Sequence, residues 1–123
     1  MARPRSDIEP RIIHAARRRF LEDGVDGASL RNIARDAGTN IGMIYYYFPT
    51  KDDLFLAVVE EIYAKVLAQL EEAIEQEVSF EARVSAIYAR VGALGADELD
   101  VMRLVVRESI ASSARLERLI ERF

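Results

Sequence analysis

The chain has 123 residues, 50% hydrophobic and 31% charged, with a formal net charge of −4 at pH 7. That suffices for one ordinary domain, or for a small domain joined to part of another, and it is not the composition of a disordered chain. The absence of cysteine excludes disulfides, thiolate metal sites and cysteine nucleophiles, and fits a reducing compartment. Met1 to Pro10 has no apolar core for a signal peptide, and no run approaches the ~18 apolar residues of a membrane span. The sequence therefore reads as cytoplasmic, with no membrane partner.

The acidic total conceals a polarised distribution. Met1 to Leu56 carries nine basic and eight acidic residues, whereas Ala57 to Phe123 carries eight basic and thirteen acidic. Among the first twenty residues, Arg3, Arg5, Arg11, Arg17, Arg18 and Arg19 face only Asp7 and Glu9. Such a local basic patch suits nucleic acid, although taken alone it also fits a solvated helix face.

Helical patterning runs from end to end, which predicts an all-α fold. Ile12, Ala16 and Phe20, flanked by Ile13 and Leu21, form the stripe of an amphipathic first helix. Ser6 and Glu9 are spaced as a capping box, Pro10 falls in the tolerant first turn, and Gly24 is the predicted stop. Ser29 is placed to cap a short second helix with Leu30, Ile33, Ala34 and Ala37 on its inner side. Gly38 ends that helix, Thr39 or Asn40 caps a third, and Pro49 forces Phe48 out of helical geometry. Thr50 caps the fourth helix, with Asp52 and Asp53 in the first turn, where the dipole favours negative charge.

The fourth helix has Leu54, Phe55, Val58, Ile62, Val66, Leu70 and Ile74 on one side and no breaker before Val78. At 1.5 Å per residue its roughly 27 residues span about 40 Å, long enough to link two packed bodies. Ser79 is the predicted cap of a fifth helix reaching the Gly92 to Gly95 region. A sixth starts near Asp97 and carries Leu99, Met102, Val106 and Ile110. Arg115 to Phe123 reads as a further helical segment after a short break.

Leu30 to Tyr47 is the informative stretch. A helix-turn-helix needs a small residue where its helices cross, a glycine in the left-handed turn, and an apolar residue from the second helix in the shared core. Ala34, Gly38 and Ile44 stand at spacings of four and six, with Ile33, Ala37 and Phe48 completing the predicted core. Three consecutive tyrosines, Tyr45, Tyr46 and Tyr47, cannot all face one core at ~100° per residue. An exposed phenol offers thymine methyls a ring and phosphates a hydroxyl; the plain alternative buries Tyr45 and Phe48.

From Ile12 to Phe55 the sequence resembles the TetR family of transcriptional regulators. The resemblance rests on the Ala-Ala-x-x-x-Phe helix, Gly24, the block Ser29 to Gly38 and the block Gly42 to Leu54. It implies a three-helix DNA-binding domain over residues 1–50. Residues 51–123 would then hold a long linker helix and part of a helical domain for effector binding and dimerisation. Carried over by position, Arg31, Asn40, Ile41, Gly42, Met43 and Tyr45 are implied to lie nearest the bases, while Ser29, Tyr46, Tyr47 and Lys51 meet phosphates. Where Ile41 stands, many relatives have a basic or polar residue, so reading here is expected to lean on thymine methyls, with Asn40 and Arg31 as the polar readers.

The family further implies a ligand-responsive repressor that binds a palindromic operator as a homodimer, with a small-molecule effector whose identity no residue reveals. Family members usually continue for two or three more helices, so Leu116, Leu119, Ile120 and Phe123 are expected to lack part of their packing. No cofactor is expected. The single histidine, His14, lies among core-type and basic residues, the common metal-ligand patterns are absent, and no nucleophile stands with a base, so an enzyme is not expected. Two readings compete with the regulator: a shortened relative that pairs with a full-length regulator, and a helical scaffold without DNA contact.

Overall fold

A computed structural model describes residues 7–123, and among them every element is helical: α1 (Ile8–Gly27), α2 (Leu30–Asp36), α3 (Ile41–Tyr47), α4 (Lys51–Glu75), α5 (Phe80–Gly92), α6 (Ala96–Ala111) and α7 (Ser113–Arg122). The expected roles of Ser6 in a capping box and of Arg3 and Arg5 in the basic patch lie outside the described residues. Asp7, at the N-cap of α1, makes no side-chain capping bond.

The other starts follow local chemistry. The hydroxyls of Ser29, Thr50 and Ser79 accept from the backbone N–H groups of Asn32, Asp53 and Ala82 at 3.3, 3.1 and 3.1 Å. Each bond satisfies a donor that the first helical turn leaves free. Asp53 returns the favour by accepting from Thr50 N at 3.0 Å, completing a capping box. Gly38, at φ 71°, closes α2 in a Schellman turn: Gly38 N donates to Arg35 O at 3.1 Å and Thr39 N to Ala34 O at 2.9 Å.

Gly24 breaks α1 but does not end it. Its φ of 75° and ψ of 169° interrupt the helix, which resumes for one turn to Gly27. Ala28 N then donates back to Gly24 O at 3.1 Å.

Ile12, Ala16, Phe20, Ile33, Ala34, Ala37, Ile44 and Phe48 are buried together with Leu54, Phe55, Val58 and Val59 of α4. Phe20 and Phe55 meet edge to face, with centroids 6.4 Å apart. Leu104 of α6 and Leu119 of α7 belong to the same cluster, so the apolar interior runs without interruption from the first three helices into the helices behind them.

Beyond Ile62, α4 buries no residue, and α5 buries none. The Arg90 guanidinium of α5 bonds Gln69 of α4 and lies 3.6 Å from Glu98. The expected apolar stripe of α6 is turned outward: Val106 and Ile110 are 60% and 82% exposed, while Val101, Leu104 and Glu108 are buried. Both sides of α6 carry apolar residues, and the side that places Glu108 among polar partners is the one that packs. On α7, Leu119 is buried, whereas Leu116, Ile120 and Phe123 are exposed, the Phe123 ring centroid standing 5.8 Å from that of Tyr63.

Candidate DNA-binding surface

Between α2 and α3, Ala34 and Ile44 are buried and Gly38 supplies the left-handed turn. This inner contact fixes which residues of the two helices look outward. Arg31 is exposed, and no hydrogen bond or ion pair engages it among the described residues. Its neighbour Arg35 is tied to Asn32 Oδ1 at 2.9 Å, and Arg19 to Asp36 at 2.6 Å. That second pair holds the Asp36 carboxyl below the usual carboxylate range. Arg31 is thus the arginine of α2 left available to an outside acceptor.

Asn40 is exposed, and its Oδ1 accepts from Met43 N at 3.0 Å, capping α3. Its carboxamide nitrogen remains as the polar group a base could meet. Gly42 is exposed, and a Cβ there would come within 3.1 Å of that same capping oxygen. The missing side chain therefore preserves the cap while leaving the helix surface smooth. Ile41 and Met43 are half-buried.

The tyrosines divide as their angular spacing requires. Tyr45 and Tyr46 are 51% and 75% exposed, so the alternative that buried Tyr45 does not hold. Tyr47 is half-buried and packs edge to face on Tyr46, with centroids 5.0 Å apart. Phe48 is buried.

Ser29 is half-buried with its oxygen engaged in the α2 cap. Lys51 is half-buried, and its Nζ donates to Ala28 O at 2.7 Å and Asp26 O at 3.4 Å. An ammonium has three donors, so these bonds brace the corner between α1 and α2 and leave one direction open.

Behind this surface stands a polar cluster that the sequence reading missed. Arg115 of α7 is buried and grips Asp26 with both terminal nitrogens at 2.5 and 3.3 Å. It also donates to Asp52 at 2.9 Å and to Glu108 at 3.0 Å. Glu108, equally buried, accepts from Val25 N at 3.0 Å. The Arg115 hydrogen bonds, before any longer-range attraction, hold the Asp26 carboxyl below its ordinary range, and the carboxylates raise the guanidinium above its own. Arg118 and Arg122 add bonds to Asp53 at 2.7 Å and Glu60 at 2.6 Å. One signal in the sequence pointed here: Glu108 falls at helical spacing from Val101 and Leu104, and Arg115 four residues before Leu119.

His14 is exposed beside Arg17. Among the described residues no cluster of His, Cys, Asp or Glu could hold a metal ion, and no helix is long and apolar enough to cross a membrane.

Residues 12–58 match the family model described as bacterial regulatory proteins, tetR family. The chain is 38% identical over 61 residues to the HTH-type transcriptional regulator PksA of Bacillus subtilis, an alignment covering 50% of this chain and 30% of the relative. To the HTH-type transcriptional repressor NicS of Pseudomonas putida it is 37% identical over 79 residues, covering 56% and 37% of the two chains. The chain thus spans about a third of the length of these curated relatives. Among solved structures, a transcriptional regulator from a Rhodococcus species superposes with a TM-score of 0.71 at 27% identity, over 92% of this chain and 62% of that one.

Proposed function

We infer from the match of residues 12–58 to the tetR family model that this chain is a TetR-family protein and acts as a sequence-specific DNA-binding transcriptional regulator. The observation that carries the reading is the outward face of the helix-turn-helix. The unengaged Arg31, the carboxamide of Asn40, the bare Gly42 and the exposed rings of Tyr45 and Tyr46 lie on two helices whose inner faces are locked together.

In this reading Arg31, Asn40, Ile41, Gly42, Met43 and Tyr45 face base edges, with Arg31 able to bond guanine through two nitrogens. Ser29, Tyr46, Tyr47 and Lys51 meet phosphates and set the register. Residues 1–50 are the DNA-binding domain, and residues 51–123 contribute the linker helix and part of an effector-binding and dimerisation domain. Pairing two such units sets the recognition helices about 34 Å apart, one turn of duplex, which matches a palindromic operator. A small-molecule effector shifts the population between spacings that fit DNA and spacings that do not, relieving repression.

Titrating the chain against duplex DNA at rising salt tests the reading. Each phosphate neutralised contributes about −0.9 to the slope of log K against log salt. A steep negative slope is expected, and a flat one removes DNA binding.

A further inference from the structure

We propose that Arg115, in α7 and far in sequence from the helix-turn-helix, is a positioning residue for DNA contact: it holds in register the two segments that bear Ser29 and Lys51. The proposal rests on the DNA-binding reading above, in which those two residues meet phosphates.

The geometry is a double brace. The first segment is the corner from Asp26 to Ser29, the second the start of α4 at Lys51 and Asp52. From one side Lys51 ties them together, its Nζ on the Asp26 and Ala28 carbonyls at 3.4 and 2.7 Å. From the other side Arg115 ties them again, with Asp26 Oδ1 at 2.5 Å and Asp52 Oδ1 at 2.9 Å on one guanidinium. A planar guanidinium fixes direction as well as distance, which an ammonium cannot do.

The brace is itself anchored. Arg115 and Glu108 are 7% and 4% exposed, and the Glu108 carboxylate bridges Arg115 Nη1 and Val25 N, each at 3.0 Å. A Cβ on Gly24 would stand 3.3 Å from that carboxylate, so the bare glycine leaves room for it. Arg107 adds a bond to Phe20 O at 2.7 Å. The α6–α7 corner therefore grips the end of α1 at several points, and Arg115 passes that grip on to the residues next to the phosphate contacts.

The test uses the full chain, a random-sequence duplex and two variants. Arg115→Lys keeps the charge and loses the fork. Asp26→Asn alters a side chain that is 80% exposed, so it spares the core. Binding is measured below the onset of each variant's melting curve, so that only folded protein is compared. Both variants are expected to bind about tenfold more weakly, the loss of one charge-assisted contact, with a salt slope shallower by about 0.9. For Asp26→Asn, charge alone predicts the reverse, since removing a carboxylate near DNA tightens binding. Folded variants that bind as tightly as the unaltered chain, or more tightly, with the same slope overturn the proposal and leave the DNA-binding reading standing. An unaltered chain that binds no duplex overturns both.

Discussion

The ammonium of Lys51, at the first position of α4, donates to the carbonyl of Ala28 at 2.7 Å and so closes the corner between α1 and α2. A residue proposed to bind phosphate is therefore also a structural brace. Lys51→Ala is expected to act twice, weakening all duplex sequences about equally with a salt slope shallower by about one, and lowering the melting temperature. Salt titrations and thermal melts of one preparation check both. An unchanged melt would mean that the carbonyl contacts contribute no stability.

Arg31 presents the opposite case. It is exposed and unengaged among the described residues, so Arg31→Ala should leave stability within about 0.5 kcal/mol, as for other surface substitutions. In a binding-site selection it should relax the preference at one base pair of a half-site, at a cost on the order of 1 to 3 kcal/mol on the best site. A loss spread evenly over all sequences would assign Arg31 to the backbone instead.

Acid should loosen the joints between α7 and the helices it grips. Asp26 and Asp53 have carboxyls lowered chiefly by hydrogen bonds from Arg115 and Arg118 respectively. A carboxyl lowered in the folded state contributes stability that is present above its unfolded value and lost as pH falls toward the folded one. Stability should therefore decline below about pH 4, the ordinary aspartate range. Urea melts at neutral and acid pH should show a smaller pH dependence for Asp53→Asn than for the unaltered chain; equal dependence would deny the Arg118 bond a role.

The two sides of α6 give a test of packing. Leu104 is buried and Ile110 is 82% exposed. Leu104→Ala should cost about 2 to 5 kcal/mol, whereas Ile110→Lys should stay within about 0.5 kcal/mol. Chemical denaturation of both variants decides it, and comparable losses would mean that the outward stripe is covered in solution.

Much of this protein is written in short-range pattern. Ser29, Thr50 and Ser79 make the capping bonds their positions predict, because a hydroxyl three residues before a free N–H needs no tertiary help. Gly38 takes the left-handed turn and Pro49 displaces Phe48 for equally local reasons. With the helical stripe Ile12, Ala16 and Phe20, those signals determine the three-helix head and the outward residues of α2 and α3.

Tertiary structure decided the rest, where one stretch of chain allows two outcomes. α6 carries apolar residues on two sides, and its own spacing does not say which packs; in the fold it is Val101 and Leu104 that are buried, on the side where Glu108 meets Val25 N and Arg115. Lys51 and Asp52 read as surface charges at a helix start until the corner at Asp26 to Ala28 and the guanidinium of Arg115 are brought against them. A charged side chain carries no mark of its partner in sequence, because an ion pair depends on distance in space, and 89 residues of chain separate Asp26 from Arg115.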